Sequence, residues 1–213
     1  MIYENRFKRN DYLLIKKTRT REIDMNLVIS GIFAIAMVLG VFASGAAAQM
    51  MGSDNPMVGG AAMNKTKNIV ENAVNSADHT TLVTAVKAAG LVDTLASAGP
   101  FTVFAPVNSA FEKLPAGTVE MVLKPENKTT LTKILTYHVI SGNMDSKAIA
   151  KAIKAGGGKA EFTTVAGGKL WASMDGKNLV LSDEKGGRSI VTIADVRQSN
   201  GVIHVVDTVL MPN

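Results

Sequence analysis

The chain has 213 residues, with 23 Lys and Arg against 18 Asp and Glu, three His and no Cys. The missing cysteines exclude a disulfide scaffold, a thiolate zinc site, an iron–sulfur cluster and a cysteine nucleophile. The net charge of +5 is not a phosphate-binding footprint: residues 1–48 carry 7 basic and 4 acidic groups, which leaves 16 against 14 for the rest, and no nucleic-acid partner is expected.

Residues 1–24 are polar and basic (Arg6, Lys8, Arg9, Lys16, Lys17, Arg19, Arg21), and an uncharged, largely apolar run follows from Met25 to Met51. Within it, Leu27 to Phe42 is the hydrophobic segment, and Ala46-Ala47-Ala48 supplies the small residues of a signal-peptidase site. Residues 1–48 therefore read as an export signal cleaved after Ala48. The competing reading is an uncleaved anchor, the one membrane contact expected, with its basic flank in the cytoplasm. Alanine and glycine crowd the end of the run, where an anchor would carry Leu and aromatics. Both readings carry the rest of the chain out of the cytoplasm, to a secreted, extracellular or periplasmic location.

Residues 49–64 are rich in Met, Gly and Ala without periodicity and read as a flexible tether. Their thioethers (Met50, Met51, Met57, Met63) would suit Cu(I), but no His or Cys accompanies them, so no metal or cofactor is expected. Asn64-Lys65-Thr66 and Asn127-Lys128-Thr129 match the glycosylation sequon, which matters only in a host that glycosylates.

From residue 65 the helical period comes first. Asp78 is a cap for a helix in which Leu82, Val86 and Ala89 share a face, with Gly90 placed to end it. A short apolar turn, Leu91 to Leu95, follows. Gly99-Pro100 breaks the pattern, and Phe101 to Ala105 reads as a buried strand stopped by Pro106. Asn108 offers an N-cap to residues 109–113. A short helix starts at Thr118 and ends at Pro125. Asn127 caps a longer one, in which Leu131, Ile134, Leu135 and His138 fall at helical spacing.

After a Ser146-capped segment with Ile149 and Ile153, and the glycines 156–158, the period changes to that of strands. Strands are expected over 160–165, 169–174, 178–182, 189–196 and 202–210, with Asp175-Gly176 and Asn200-Gly201 as turns. Residues 65–213 are thus one α+β domain, long enough for its own core.

Three blocks resemble the fasciclin family of extracellular adhesion domains. Gly99-Pro100-Phe101-Thr102-Val103-Phe104-Ala105-Pro106-Val107-Asn108-Ser109-Ala110-Phe111 is similar to the family's first block. Asn200-Gly201-Val202-Ile203-His204-Val205-Val206-Asp207-Thr208-Val209-Leu210-Met211-Pro212 is similar to its closing block, and Tyr137-His138-Val139 stands between them like its central tyrosine–histidine motif. The resemblance implies a twisted β wedge with flanking helices, carried outside the cytoplasm. It also implies adhesion to surface receptors, matrix proteins or polysaccharide, without a general catalytic activity. The segment assigned to receptor binding in animal members maps onto Tyr137, His138, Val139 and Ile140. The acidic-proline motif expected before the closing block is absent, Val191 to Val196 standing in its place, which weakens transfer of a specific receptor.

Read from the residues alone, Tyr137 and His138 end a helix with apolar periodic positions, so burial with hydrogen bonding competes with ligand contact. A buried His138 needs partners, and Asn108 and nearby carbonyls are the candidates for tying the helix end to the Phe101–Phe111 block. Asn108, His204 and Asp207 read as structural polar groups. No catalytic residue is named. His79, His138 and His204 lack ligand spacing, no G-x-S-x-G turn occurs, and the glycine clusters lack P-loop spacing. Trp171 either anchors the core or lines a patch.

The function expected is an exported, non-enzymatic adhesion or matrix-interaction domain that binds a protein or glycan near the Tyr137 helix end. The alternative is a periplasmic or extracellular carrier of a small apolar ligand or lipid, held between helices and sheet.

Overall fold

The computed structural model describes residues 55–213. The expected export signal, its cleavage site and the first part of the tether lie outside the described residues. The tether does not extend to residue 64. Met57–Val58 (β1) and Ala61–Ala62 (β2) pair as an antiparallel hairpin, turned by Gly59 and Gly60 at φ 56° and 76°. Val58 and Met63 are buried in the core. The apolar pairs are too short to show a period, so only burial reveals them as structure.

The helices are short and lie mostly in the first half. Ile69–Ala73 (α1) starts with a capping box in which the Asn68 side chain accepts from Glu71 N and the Glu71 carboxylate accepts from Asn68 N, both at 2.9 Å. Thr80–Ala89 (α2) ends at Gly90, whose φ of 73° is the left-handed stop read in the sequence. Its start is not capped by Asp78. Instead Asn108 Oδ1 accepts from Thr81 N at 3.0 Å and from Thr80 Oγ1 at 3.2 Å, while its Nδ2 donates to Ala77 O at 2.8 Å. Asn108 therefore caps α2 from a segment distant in sequence, and its own helix, Asn108–Glu112 (α4), begins without a side-chain cap.

Val92–Ala96 (α3), Thr118–Val122 (α5) and Lys128–Tyr137 (α6) complete this layer. Asn127 precedes α6 without bonding its first turn. Ser146–Ala155 (α7) is capped by Asp145, which accepts from Ala148 N at 2.9 Å. This leaves the Ser146 hydroxyl free to donate to Asp195.

Seven strands form the main sheet: Phe101–Pro106 (β3), Val139–Ser141 (β4), Lys159–Thr163 (β5), Lys169–Asp175 (β6), Asn178–Ser182 (β7), Arg188–Gln198 (β8) and Gly201–Val206 (β9). Their order is β4-β3-β9-β8-β7-β6-β5. The two outer blocks of the resemblance are thus neighbours, because β3 and β9 pair in parallel from Phe101 opposite Gly201 to Pro106 opposite Val206. Gly201 is required there, since a Cβ would stand 2.0 Å from Phe101 O. The expected last strand, 202–210, leaves the sheet after Val206. All six residues of β9 are buried, as a central strand covered on both faces requires.

Alternation along β3 divides the core. Val103 and Ala105 join Ile203, Val205 and the apolar faces of α1, α2, α3 and α6; Phe104 joins Tyr137, Val206, Leu210, the apolar face of α7 and the inner residues of β5 to β7. Each large aliphatic side chain so buried contributes about 1.5–3 kcal/mol. The first of these regions is incompletely filled. A cavity of about 60 Å³ remains there, a void that costs on the order of 1–2 kcal/mol. The whole is an α+β wedge with its helices set against the sheet.

Candidate functional site

The motif Tyr137-His138-Val139-Ile140 sits where α6 runs into β4, and all four residues are buried. The Tyr137 ring packs so closely under the 164–168 loop that a Cβ on Gly168 would be 2.8 Å from its Cε2. Its hydroxyl donates to Lys169 O and accepts from Glu184 N at 3.2 Å, joining two loops from beneath. Burial pushes the phenol up to about 12.

The His138 ring lies between two main-chain groups. Its Nδ1 is 2.8 Å from Ile134 O, and its Nε2 accepts from Leu210 N at 3.0 Å. A carbonyl on one side and an N–H on the other require the neutral tautomer protonated at Nδ1. Burial, opposed by the Ile134 carbonyl and by Asp183, holds the pKa below the ordinary histidine value. The ring therefore ties the helix end to the closing block, while its main-chain O accepts from Phe104 N at 2.9 Å and ties it to β3. Asn108 has no part in this, being committed to α2. Val139 O accepts from Val165 N at 2.8 Å, and Ile140 pairs with Thr102.

Two residues that the sequence reading did not single out complete the arrangement. Asp183 Oδ1 accepts from Gly187 N at 2.6 Å and from Lys185 N at 3.0 Å, and its Oδ2 accepts from Met211 N at 2.9 Å. Glu184 accepts from Lys169 N at 2.8 Å and from Asn213 N at 3.1 Å, and these two N–H groups hold its carboxyl below the usual range. The pair Gly186-Gly187 is a turn signal in the sequence, but nothing in the spacing marks the Asp183 carboxylate that the turn wraps. Segments 164–168, 183–187 and 210–213 are thus gathered around Tyr137 and His138, with Val165 and Lys185 exposed on top.

The other expected polar residues lie elsewhere. His204 stacks on Phe104 with ring centroids 5.7 Å apart; its Nε2 meets Met144 O at 2.9 Å and its Nδ1 accepts from Asp195 N at 3.4 Å. Burial lowers its pKa against the pull of the Met144 carbonyl and two aspartates. Asp207 follows β9, accepts from Ile190 N at 2.8 Å and faces Lys113 Nζ at 3.4 Å. Burial acts to raise its pKa, but the Ile190 N–H, the Thr208 hydroxyl and Lys113 outweigh it and hold it low. Trp171 is half-buried on β6, donates to Glu161 at 3.2 Å and lies under Lys159 Nζ, 4.8 Å from its centroid.

The arrangement around Tyr137 positions backbone segments through the neutral Tyr137 and His138 side chains and through the Asp183 and Glu184 carboxylates. Among the described residues no group of three or more His, Asp or Glu converges as metal ligands would.

A family model for the fasciclin domain matches residues 77–212. The chain is 48% identical over 157 residues, 73% of its own length and 79% of the relative's, to protein sll1483 of Synechocystis sp.. It is 36% identical over 122 residues, 57% of this chain and 48% of the other, to the cell surface glycolipoprotein MPB83 of Mycobacterium bovis. The FAS1 domain pair of the insect cell adhesion molecule fasciclin I shares the fold, with a TM-score of 0.61 and 18% identity over 68% of this chain and 51% of that one. With its two outer signature blocks paired as adjacent strands and its tyrosine–histidine motif seated beside them, the chain belongs to the fasciclin family.

Proposed function

We propose that this protein is an exported, non-enzymatic adhesion or matrix-interaction domain, and that a protein or glycan partner docks on the loop surface gathered over Tyr137 and His138. The observation that carries the reading is the Tyr137 hydroxyl, which holds Lys169 O and Glu184 N from below. A buried side chain used in this way sets the shape of an exposed surface without touching the partner. In this reading Tyr137, His138, Val139 and Ile140 act on binding through the segments they hold, and Val165 and Lys185 make the contact. A surface location for MPB83 and an adhesive role for fasciclin I support the same direction. Export by residues 1–48, with cleavage after Ala48, belongs to this proposal.

The test uses the full chain expressed in its producing cells, with the released or surface-held form identified by amino-terminal sequencing. Binding to the surface and matrix of those cells is compared for wild type, Val165→Asp and Lys185→Glu. Both variants are expected to keep the wild-type melting curve and lose binding. Folded wild type that binds neither surface nor matrix would end the adhesion reading, and unchanged binding by both variants would move the contact away from these loops.

A further inference from the structure

The cavity of about 60 Å³ lies between the helices and the sheet, with Ile69, Leu82 and Leu95 on the helical side and Val103 and Val205 on the strands. Val58 and Met63 of the amino-terminal hairpin also line it. Two polar side chains in this lining belong together: the Ser76 hydroxyl is 2.8 Å from His79 Nδ1. His79 is 3% exposed, and its Nε2 is the one buried side-chain N or O without a hydrogen-bond partner among the described residues. A buried polar atom in that state calls for a partner.

Water is a poor candidate. A buried water needs about two to four polar partners, and apart from His79 the polar side chains of this lining are Lys87, Ser76, already bonded to His79, and His138, already bonded at both ring nitrogens; the remaining walls are apolar. A molecule that is mostly hydrocarbon with one hydrogen-bonding group satisfies both the walls and the nitrogen. Burial lowers the His79 pKa, against the Ala105 main chain and Asp78, so the ring is neutral near pH 7. A carboxylate would then enter an apolar space without a counter-charge. A hydroxyl both donates and accepts, so it pairs with Nε2 in either tautomer.

Size assigns a role to the hairpin. A dry cavity of about 150 Å³ is what benzene occupies, so a ligand of that size or larger needs the space taken by Val58 and Met63. The hairpin is held to the body by Ala77 N donating to Gly59 O at 3.0 Å and by Asn64 main-chain bonds to the Asn72 side chain at 3.0 and 2.8 Å. Its tip docks very closely: with φ at 56°, a Cβ on Gly59 would stand 2.3 Å from Ser76 Oγ. The seat of the hairpin and the unpartnered imidazole thus share the segment 76–79.

We propose that this cavity is the binding site for a neutral apolar alcohol, whose hydroxyl pairs with His79 Nε2 and whose hydrocarbon fills the space Val58 and Met63 vacate when the hairpin lifts. The site stands where the carrier alternative requires one; His138 and Val139 reach its wall, but the nitrogen and the hairpin it depends on lie within residues 57–79, apart from the exposed loops proposed for adhesion, so either proposal can fail alone.

The test is a titration of the full chain, labelled with ¹⁵N-histidine, with 1-decanol and separately with sodium decanoate at pH 7.5, read by imidazole nitrogen NMR. The chain has three histidines; His138 lines the cavity beside His79, whereas His204 does not and is bonded at both ring nitrogens, so the His204 signal reports an intact fold. The His79 Nε2 signal is expected to shift saturably with 1-decanol while the His204 signals stay in place, and decanoate is expected to bind at least about tenfold more weakly. Gly59→Val, which unseats the hairpin, is expected to tighten 1-decanol binding by roughly tenfold, because the closed state no longer competes. A His79 signal that does not respond in wild type or in Gly59→Val, with His204 native, would overturn the site. Weaker binding by Gly59→Val would overturn the hairpin's role as a plug.

Discussion

Leu210 N donates to His138 Nε2 at 3.0 Å, a single bond that joins the end of α6 to a segment 72 residues later. With Nδ1 turned to the Ile134 carbonyl at 2.8 Å, both nitrogens of a buried ring are committed to the main chain. His138→Ala would leave a buried N–H and a buried C=O without partners and open a void. The expected loss is about 2–4 kcal/mol, measured as a shift in the urea midpoint at constant slope. A loss under about 0.5 kcal/mol would show that the ring is not structural.

Tyr137→Phe keeps the ring against Gly168 and removes only the hydroxyl between Lys169 O and Glu184 N. The expected cost is about 1–2 kcal/mol, with faster amide exchange at Val165 and Glu184 and no change in α2. Slow exchange retained in both loops would mean that they stand without the tyrosine.

Alkaline stability follows from the same hydroxyl. The folded phenol at about 12 lies above the ordinary tyrosine value of 10.0, so the fold favours the protonated, neutral form. That contribution is full below pH 10 and is lost as pH rises from there through about 12. Urea midpoints across that window should fall in wild type and flatten in Tyr137→Phe, and parallel curves for the two proteins would refute the assignment.

On the acid side, His79, His138 and His204 are all held below the ordinary histidine value of 6.5, first by burial. The folded state favours the neutral rings, so their contribution is complete above pH 6.5 and is lost as pH falls through the lowered values. Each ring adds a slope of up to about 1.4 kcal/mol per pH unit. Stability should therefore decline as pH falls below 6.5, and His138→Gln should reduce the slope. A flat profile there would show that the rings are protonated without cost.

Asn108→Ala removes the cap that α2 receives from outside its own sequence. The expected loss is about 1–2 kcal/mol, with amide protection falling at Thr81 but not in α4. Selective loss of protection in α4 would restore the local reading of Asn108 as the cap of its own helix.

The amino-acid sequence by itself determined the α+β order, the carboxyl end of α2, the boundaries of most strands, and the membership of the family. These rest on short-range physics: the left-handed glycine at Gly90, two-residue alternation, and turn dipeptides such as Asn200-Gly201. The hairpin at 57–62, the cap that Asn108 gives to α2, the clamp formed by Asp183 and Glu184, and the His138–Leu210 bond were decided only in three dimensions. Each joins main-chain groups to side chains distant in sequence, or depends on burial of a segment too short to show a period. A hydrogen bond of that kind leaves no spacing to read, because its partners are brought together by the packing of the sheet and not by the chain that lies between them.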